Sequence, residues 1–444
     1  MILLADRLDA LRSLAPSALD FLDDLRSYQD RRLRRLVRHA WESVPYYRRL
    51  FEEHGLDPES VQGIEDLSRI PMSTREDYQQ AGPDRLLSRR HRRSRLFQRS
   101  TSGSTGKPVT IRCTWFEESL VSALRAKAFW AQGVRPWHRV ARVKLALSPR
   151  RPPGWVAWLS RLRVPPQAVI DCLLPPGEIL QRLEKFRPHV IMSFPEVLAQ
   201  AAELVRPGAF PRLGLVLVGG ETVTPQALDR IRRGLGVAAR QGYASHEFGQ
   251  MAWECPQGLL HVCGEAVLVE VLSDGRPVEE GQAGEVVATA LHSLAMPFIR
   301  YRLGDLARLG PSRCPCGRPG MTLQEVAGRM ADYLVLPDGR LVHPFQVIGS
   351  FRDAFTWIAQ YQIVQETATR VRVRIRCLQP PDAGRLEWFR KRLVEVLGPE
   401  VCIKIEPDAE IAPAPSGKYR VCRSLVWEQR SSASESSARS ARSE

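Results

Sequence analysis

Nine consecutive residues, Ser100-Thr101-Ser102-Gly103-Ser104-Thr105-Gly106-Lys107-Pro108, alternate hydroxyls with glycines and close on a lysine. Small residues let the backbone approach an anion, and successive N–H groups and hydroxyls can cradle phosphate oxygens. The spacing differs from a Walker A loop, which has four residues between its glycines and a Ser or Thr after the lysine. Here two residues separate Gly103 from Gly106, and Pro108 follows Lys107. Read alone, the segment is equally a flexible Ser/Gly turn.

A second set of residues carries metal chemistry. Cys255 and His261 lie close together in sequence, and Cys314-Pro315-Cys316-Gly317 follows further on. Two close pairs of soft ligands fit a tetrahedral Cys₃His zinc site, and four protein ligands would make it structural rather than catalytic. Cys263 is a substitute ligand in this reading, and ordinary thiols beside a strand histidine are the plain alternative. The sequence contains no Gly-x-Ser-x-Gly elbow, no His-Glu-x-x-His and no dinucleotide fingerprint.

The elements that must position these residues are α/β. Apolar residues at helical spacing predict a helix over Tyr28–Gly55, and Ile70-Pro71-Met72-Ser73-Thr74 sets up another, with Ser73 or Thr74 as N-cap. Val109–Cys113 reads as a strand, Phe116–Trp130 as a helix and Val140–Leu147 as a strand. The short apolar runs Val190–Ser193 and Leu215–Val218 are each followed by a helical segment, Glu196–Val205 and Pro225–Gly234. That alternation predicts buried parallel strands. Ligands of open α/β sheets bind at the carboxyl ends of the strands, which places Ser193, Gly219, Gly220 and Glu221 at a binding site, with Phe194 and Pro195 beside it. Strands follow around a Ser273-Asp274-Gly275 turn. From about Gly328 a smaller α+β unit begins, with a strand over Val371–Arg376, a helix over Gly384–Leu397 and a strand over Val401–Ile405. The expected division is an N-terminal domain over 1–327, a C-terminal lid over 328–429, and a disordered Ser/Ala/Arg/Glu tail over 430–444.

With 444 residues, 44% of them hydrophobic, the chain is long enough for a large domain plus a smaller one. The net charge of +15 suits acidic ligands such as nucleotides or coenzyme A. The densest basic run, Arg89-Arg90-His91-Arg92-Arg93, reads as a solvated loop, and no basic stretch interleaves with aromatics, so no nucleic-acid partner is expected. The nine cysteines, together with no secretory signal and no bilayer-length apolar run, predict a cytoplasmic protein without membrane insertion.

Five segments in one order resemble the adenylate-forming superfamily, and its phenylacetate–CoA ligase and CapK-like branch most closely. They are the Ser100–Pro108 loop, Tyr243-Ala244-Ser245-His246-Glu247, Tyr301-Arg302-Leu303-Gly304-Asp305, Gly328-Arg329 with Asp332, and Pro415-Ser416-Gly417-Lys418. Val44-Pro45-Tyr46-Tyr47 and Leu67–Thr74 fit the same branch. The resemblance implies a large α/β domain with a β-rich portion and a small mobile α+β domain. It implies activation of a carboxylic acid by ATP to an acyl-adenylate, then transfer to coenzyme A. An amine, a hydroxyl or a carrier protein is the alternative acceptor, and a weakened nucleotide-binding protein the alternative function. Ser102, Gly103, Ser104, Thr105, Gly106 and Lys107 would then hold the β- and γ-phosphates. Tyr243 would stack on adenine, with Ala244, Ser245 and His246 beside the nucleotide. Glu247 would coordinate Mg²⁺, Asp305 would accept from the ribose hydroxyls, Arg329 would contact ribose or phosphate, and Lys418 would be the catalytic lysine. The Cys-Pro-Cys zinc arrangement also occurs in the CapK-like branch, and homodimers occur among relatives. His246 stands where relatives carry Ser or Thr, and Ala331 where the hinge often holds Asp or Lys.

Overall fold

Pro45 divides the long N-terminal amphipathic run into two helices, α1 (Leu22–Ser43) and α2 (Pro45–Glu53), where the pattern alone predicts one. A proline offers no N–H and its ring collides with the preceding turn, so it opens a helix better than it continues one. The computed structural model describes residues 22–93, 96–100, 110–144, 166–221, 223–329, 334–342, 347, 348, 350–407, 410–412 and 421–426. These fall into two compact units: residues 1–134 with 240–326, and residues 135–239 with 327–444.

In the first unit, α1 buries Leu33, Leu36, Val37 and Ala40 completely. The next helix, α3 (Arg75–Leu86), begins on a capping box in which the Thr74 hydroxyl accepts from the Asp77 amide and Asp77 reaches back to the Thr74 amide. Ser73, the other cap candidate, instead donates to the carbonyl of Ile299 at 3.1 Å. A hairpin follows, β1 (Phe97–Ser100) with β2 (Thr110–Cys113), and then α4 (Trp115–Ala131), again opened by a capping box, Thr114 with Glu117. The later strands of this unit are β7 (Ala239–Ser245), β8 (Gly249–Glu254), β9 (Leu260–Val262), β10 (Val267–Ser273), β11 (Arg276–Pro277), β12 (Ala283–Ala290), β13 (Tyr301–Leu309) and β14 (Thr322–Arg329). They lie in the order β11-β10-β12-β13-β14-β9-β8-β7. The turn between β10 and β11 is the expected one: Asp274 and Gly275 both take positive φ, 50° and 78°, as a tight hairpin requires.

The second unit carries the parallel strands that the alternating pattern predicts: β3 (Val140–Lys144), β4 (Gln167–Asp171), β5 (Val190–Ser193) and β6 (Leu215–Gly219), in the order β6-β5-β3-β4. Helices α5 (Pro176–Phe186), α6 (Pro195–Ala202) and α7 (Pro225–Leu235) bury their apolar stripes against them. The same unit contains short strands β15 (Leu334–Val335) and β16 (Leu341–Val342), and a sheet ordered β19-β18-β17-β20. Its strands are β17 (Ile358–Thr367), β18 (Arg370–Cys377), β19 (Cys402–Pro407) and β20 (Cys422–Ser424), and α8 (Ala383–Leu397) packs Phe389, Leu393 and Leu397 onto Val371, Val373 and Ile375. Burying each such side chain contributes about 1.5–3 kcal/mol.

The N-terminal helices position the segment leading into β13. Tyr78 donates to the carbonyl of Pro297 at 2.6 Å, and Tyr47, bonded to the Tyr78 hydroxyl, accepts from the Ile299 amide at 2.8 Å. Arg300 is held at φ 41°, a conformation L residues rarely adopt. Its guanidinium makes a two-pronged contact with Glu270, 2.9 Å at each nitrogen, and donates to the carbonyls of Ser68 and Ile70. The side chain is almost fully buried. Arg300→Met is expected to destabilise the chain by about 3–5 kcal/mol, because Glu270 is left as a buried charge with no counter-ion. Chemical denaturation measures this, and a loss below about 1 kcal/mol would show that the pair is dispensable.

Candidate functional site

Tyr243-Ala244-Ser245-His246-Glu247 forms the end of β7 and the turn into β8. The ladder between these strands slips at Tyr243/Ala244. A bulge of this kind re-aims side chains at the end of a strand. The Ser245 hydroxyl accepts from the Phe248 amide at 3.1 Å, and Gly249 closes the turn at φ 72°. Ala244 and His246 are exposed, and Ser245 and Glu247 are half-buried. A half-buried carboxylate on a tight turn suits a hard cation such as Mg²⁺, which prefers oxygen ligands and retains several waters.

Asp305 lies within β13, one residue after Gly304, whose φ of 73° turns the strand. Its Oδ2 accepts from the Tyr243 hydroxyl at 2.7 Å. Two residues far apart in sequence are thereby joined, and Tyr243 is buried. The contact fixes the orientation of the carboxylate.

Gly220 and Glu221 lie in the second unit, just past the carboxyl end of β6. Gly220 has φ 86°, and a Cβ there would come within 2.9 Å of the Phe194 ring. Only glycine meets both demands. Glu221 accepts from the Glu196 amide at 3.1 Å, in the first turn of α6. The backbone of Arg329 ends β14. Ser102, Gly103, Ser104, Thr105, Gly106 and Lys107, the segment around Ala331 and Asp332, Lys418, and the tail from Ser431 all lie outside the described residues.

Cys255, His261, Cys314 and Cys316 converge, with their ligand atoms all within 4.8 Å of one another. Cys255 follows β8, His261 sits in β9 opposite Trp253 and Thr322, and the last two cysteines occupy the β13–β14 loop. The Cys255 and Cys314 sulfurs are 3.6 Å apart, and Cys316 Sγ is 3.3 Å from His261 Nε2. A tetrahedron with metal–sulfur bonds of about 2.3 Å and metal–nitrogen bonds of about 2.0 Å puts sulfurs about 3.8 Å apart and sulfur about 3.5 Å from nitrogen. The observed spacing fits that cage and is far too long for a disulfide, whose sulfurs lie about 2 Å apart. Burial holds His261 below its usual pKa, in the neutral form that ligates metal, and pushes the Cys314 thiol up to about 11. Cys263 is buried outside the set, and burial pushes its thiol well up. Strand β8 separates Cys255 from the Glu247 turn by about 20 Å at about 3.4 Å per residue.

One residue with a bearing on the site escaped sequence reading. Glu117 caps α4 and also accepts from the amides of Leu294 and Ala295, at 2.6 and 2.8 Å, just before the Pro297–Tyr301 segment. Its signal was the Thr-x-x-Glu capping box. Among the described residues, no helix is long and apolar enough to cross a membrane.

Residues 334–424 match the family model of the CapK C-terminal domain. The phenylacetate–coenzyme A ligase of Thermus thermophilus is 31% identical over 401 residues, spanning 85% of this chain and 86% of that protein. A crystal structure of 2-hydroxyisobutyryl-CoA ligase in the postadenylation state, in complex with an acyl-AMP, superposes with a TM-score of 0.72 at 22% identity over 91% of each chain. A structure of O-succinylbenzoate coenzyme A synthetase from Bacillus subtilis with ATP and magnesium ion aligns at a TM-score of 0.50 and 18% identity, covering 72% of this chain and 68% of that one.

Proposed function

Because the chain belongs to the phenylacetate–coenzyme A ligase family of adenylate-forming enzymes, we propose that it joins a carboxylic acid to coenzyme A in two steps. In the first, a carboxylate oxygen attacks the α-phosphorus of ATP, forming acyl-AMP and releasing pyrophosphate. In the second, the thiol of coenzyme A attacks the acyl carbon, forming the thioester and releasing AMP. Bringing two anions together makes positioning and charge neutralisation the main sources of rate.

The observation that carries the residue assignment is the Tyr243–Asp305 hydrogen bond, because it unites two of the five family-like segments. In this reading Asp305 accepts from the ribose hydroxyls, and Tyr243 orients Asp305 and flanks the adenine. Ser102 to Lys107 cradle the β- and γ-phosphates, and Arg329 contacts ribose or phosphate. Glu247 holds Mg²⁺, which neutralises phosphate charge when bound. Lys418 bridges the acid's carboxylate and the α-phosphate. Gly220 and Phe194 are assigned to the acid pocket in this reading, and the phenylacetate–coenzyme A ligase relatives favour an aromatic acid.

The test is acid-dependent exchange of labelled pyrophosphate into ATP, screened over aryl, fatty and amino acids, then repeated as thioester formation with coenzyme A. Exchange without thioester would transfer the second step to an amine, hydroxyl or carrier-protein acceptor. ATP binding with no exchange for any acid would leave a nucleotide-binding protein, and the ligase reading would fail.

Cys255, His261, Cys314 and Cys316 are assigned to one structural zinc ion. Metal analysis of the purified chain is expected to give about one zinc per chain. Cys316→Ser is expected to lose the zinc and to lower the unfolding midpoint clearly, since the binding energy of a structural zinc is folding energy. Full stability at zero zinc content would refute the assignment.

A further inference from the structure

The four-stranded sheet of the C-terminal portion buries one face and carries charge on the other. Val371, Val373 and Ile375 of β18 turn inward onto α8, so Arg370, Arg372, Arg374 and Arg376 fall on the opposite face at alternate positions. Strand pairing widens this row. Arg372 stands opposite Lys404 of β19 and Val364 of β17, and Val364 stands opposite Arg423 of β20. Arg376 closes one end of the row on Glu203, just past α6, with two contacts of 3.2 Å. Beyond it, among the described residues, the face sets Arg370, Arg372, Arg374, Lys404 and Arg423 against two carboxylates, Glu366 and Glu406.

As plain solvated surface this arrangement is unfavourable. Like charges directly opposite on neighbouring strands repel, and Arg372 and Lys404 are such a pair. A lysine on an edge strand discourages unwanted pairing, which explains Lys404. It does not explain the successive arginines of β18, a strand paired on both sides. Glu406 is shared by Lys404 at 2.8 Å, Arg372 at 3.4 Å and Arg374 at 3.5 Å. Lys404 holds the Glu406 carboxyl below its usual range, so its charge is present, yet one carboxylate does not neutralise three cations. These cations are also within reach of solvent: Lys404 is 64% exposed, Arg374 37% and Arg372 31%. Exposed ion pairs contribute little to stability, so they yield readily to a stronger anion. Surplus cations fixed along an ordered strand suit a phosphorylated ligand, because the arginine fork matches phosphate oxygens.

The proposed reaction uses two such ligands. Tyr243, Glu247 and Asp305, assigned to ATP, all lie in the first unit. Coenzyme A, which carries a diphosphate and a ribose 3′-phosphate, has no residues assigned to it. Its thiol and its phosphates sit at opposite ends of a long flexible arm, so the phosphates need not lie beside the reacting carbon.

We propose that Arg370, Arg372, Arg374 and Lys404 form a receptor for the nucleotide end of coenzyme A, with the 3′-phosphate bound by Arg372 and Arg374. This rests on the reading of coenzyme A as the acyl acceptor. It makes this face of the sheet a specificity element of the second step, with no part in the first.

The experiment measures thioester formation with coenzyme A and with dephospho-coenzyme A, which lacks the 3′-phosphate, beside acid-dependent pyrophosphate exchange. Wild type is expected to show a Michaelis constant about 10- to 100-fold higher for dephospho-coenzyme A, as loss of charge-assisted bonds does. The double variant Arg372→Gln/Arg374→Gln should raise the constant for coenzyme A to about that level, leave the constant for dephospho-coenzyme A within about twofold, and leave exchange unchanged. Arg374→Gln alone should give about a 5- to 10-fold rise, which carries the test should the double variant not fold. Glu406→Gln removes the competing carboxylate and should lower the constant for coenzyme A by about 2- to 5-fold; a face that served only its own ion pairs would gain nothing from that change. Equal use of the two thiols by wild type overturns the proposal, and so does a folded double variant that keeps the full preference for coenzyme A. If wild type exchanges pyrophosphate but makes no thioester with either thiol, the acceptor reading fails and this assignment with it. If wild type does not exchange at all, it is the ligase reading that fails.

Discussion

Lys418→Ala is expected to slow acid-dependent pyrophosphate exchange by about 10²–10³-fold while ATP still binds within a few-fold of wild type. The reaction brings a carboxylate against a phosphate that is itself negatively charged, and charge accumulates on the oxygens between them as the bond forms. A cation placed there stabilises the transition state more than either ground state, so its loss falls on the rate rather than on binding. Lys418 stands in Pro415-Ser416-Gly417-Lys418, the last of the family-like segments. Arginine at this position should restore little, since its planar fork does not reproduce a compact point charge. Exchange within about tenfold of wild type would remove Lys418 from the chemistry.

Asp305→Ala should raise the Michaelis constant for ATP by about 10²–10⁴-fold, because two hydrogen bonds to a charged acceptor, each contributing about 1.5–3 kcal/mol, are lost together. The structure adds a sharper expectation. The Tyr243 hydroxyl donates to Asp305 Oδ2 at 2.7 Å, so Tyr243→Phe should weaken ATP by about tenfold through Asp305 alone. In the double variant the tyrosine change should then cost nothing further, since its partner is gone. Additive effects would mean that Tyr243 acts on the nucleotide independently of the carboxylate.

Much of the architecture was legible from local pattern. The parallel strands β5 and β6 and the helices after them follow from short apolar runs bounded by small residues, because a strand covered on both faces has no polar alternation to show. The Asp274-Gly275 hairpin and the helix of the C-terminal portion follow from turn chemistry and helical period. The helix pair α1–α2 was less legible, since the apolar spacing runs through Pro45 without a break and only backbone chemistry reveals the division. The candidate nucleotide residues were visible because each lies in a short segment with a family likeness. The second role of Glu117 was not, because its bonds to the Leu294 and Ala295 amides leave no trace in the neighbouring residues.

The sequence by itself determined the class of chemistry and the family, since glycine, hydroxyl and charged residues in a fixed order are properties of the chain alone. It also named the four zinc-ligand candidates from their types and spacing. Only the tertiary structure decided that those four side chains meet, with sulfurs of Cys255 and Cys314 3.6 Å apart, and that Cys263 stays outside. It alone decided that Tyr243 grips Asp305, and that Glu117, Tyr47 and Tyr78 hold the segment before β13 in place. These are contacts between residues tens to hundreds of positions apart. They exist because strand pairing and helix packing close the distance, and one-dimensional spacing carries no record of that closure.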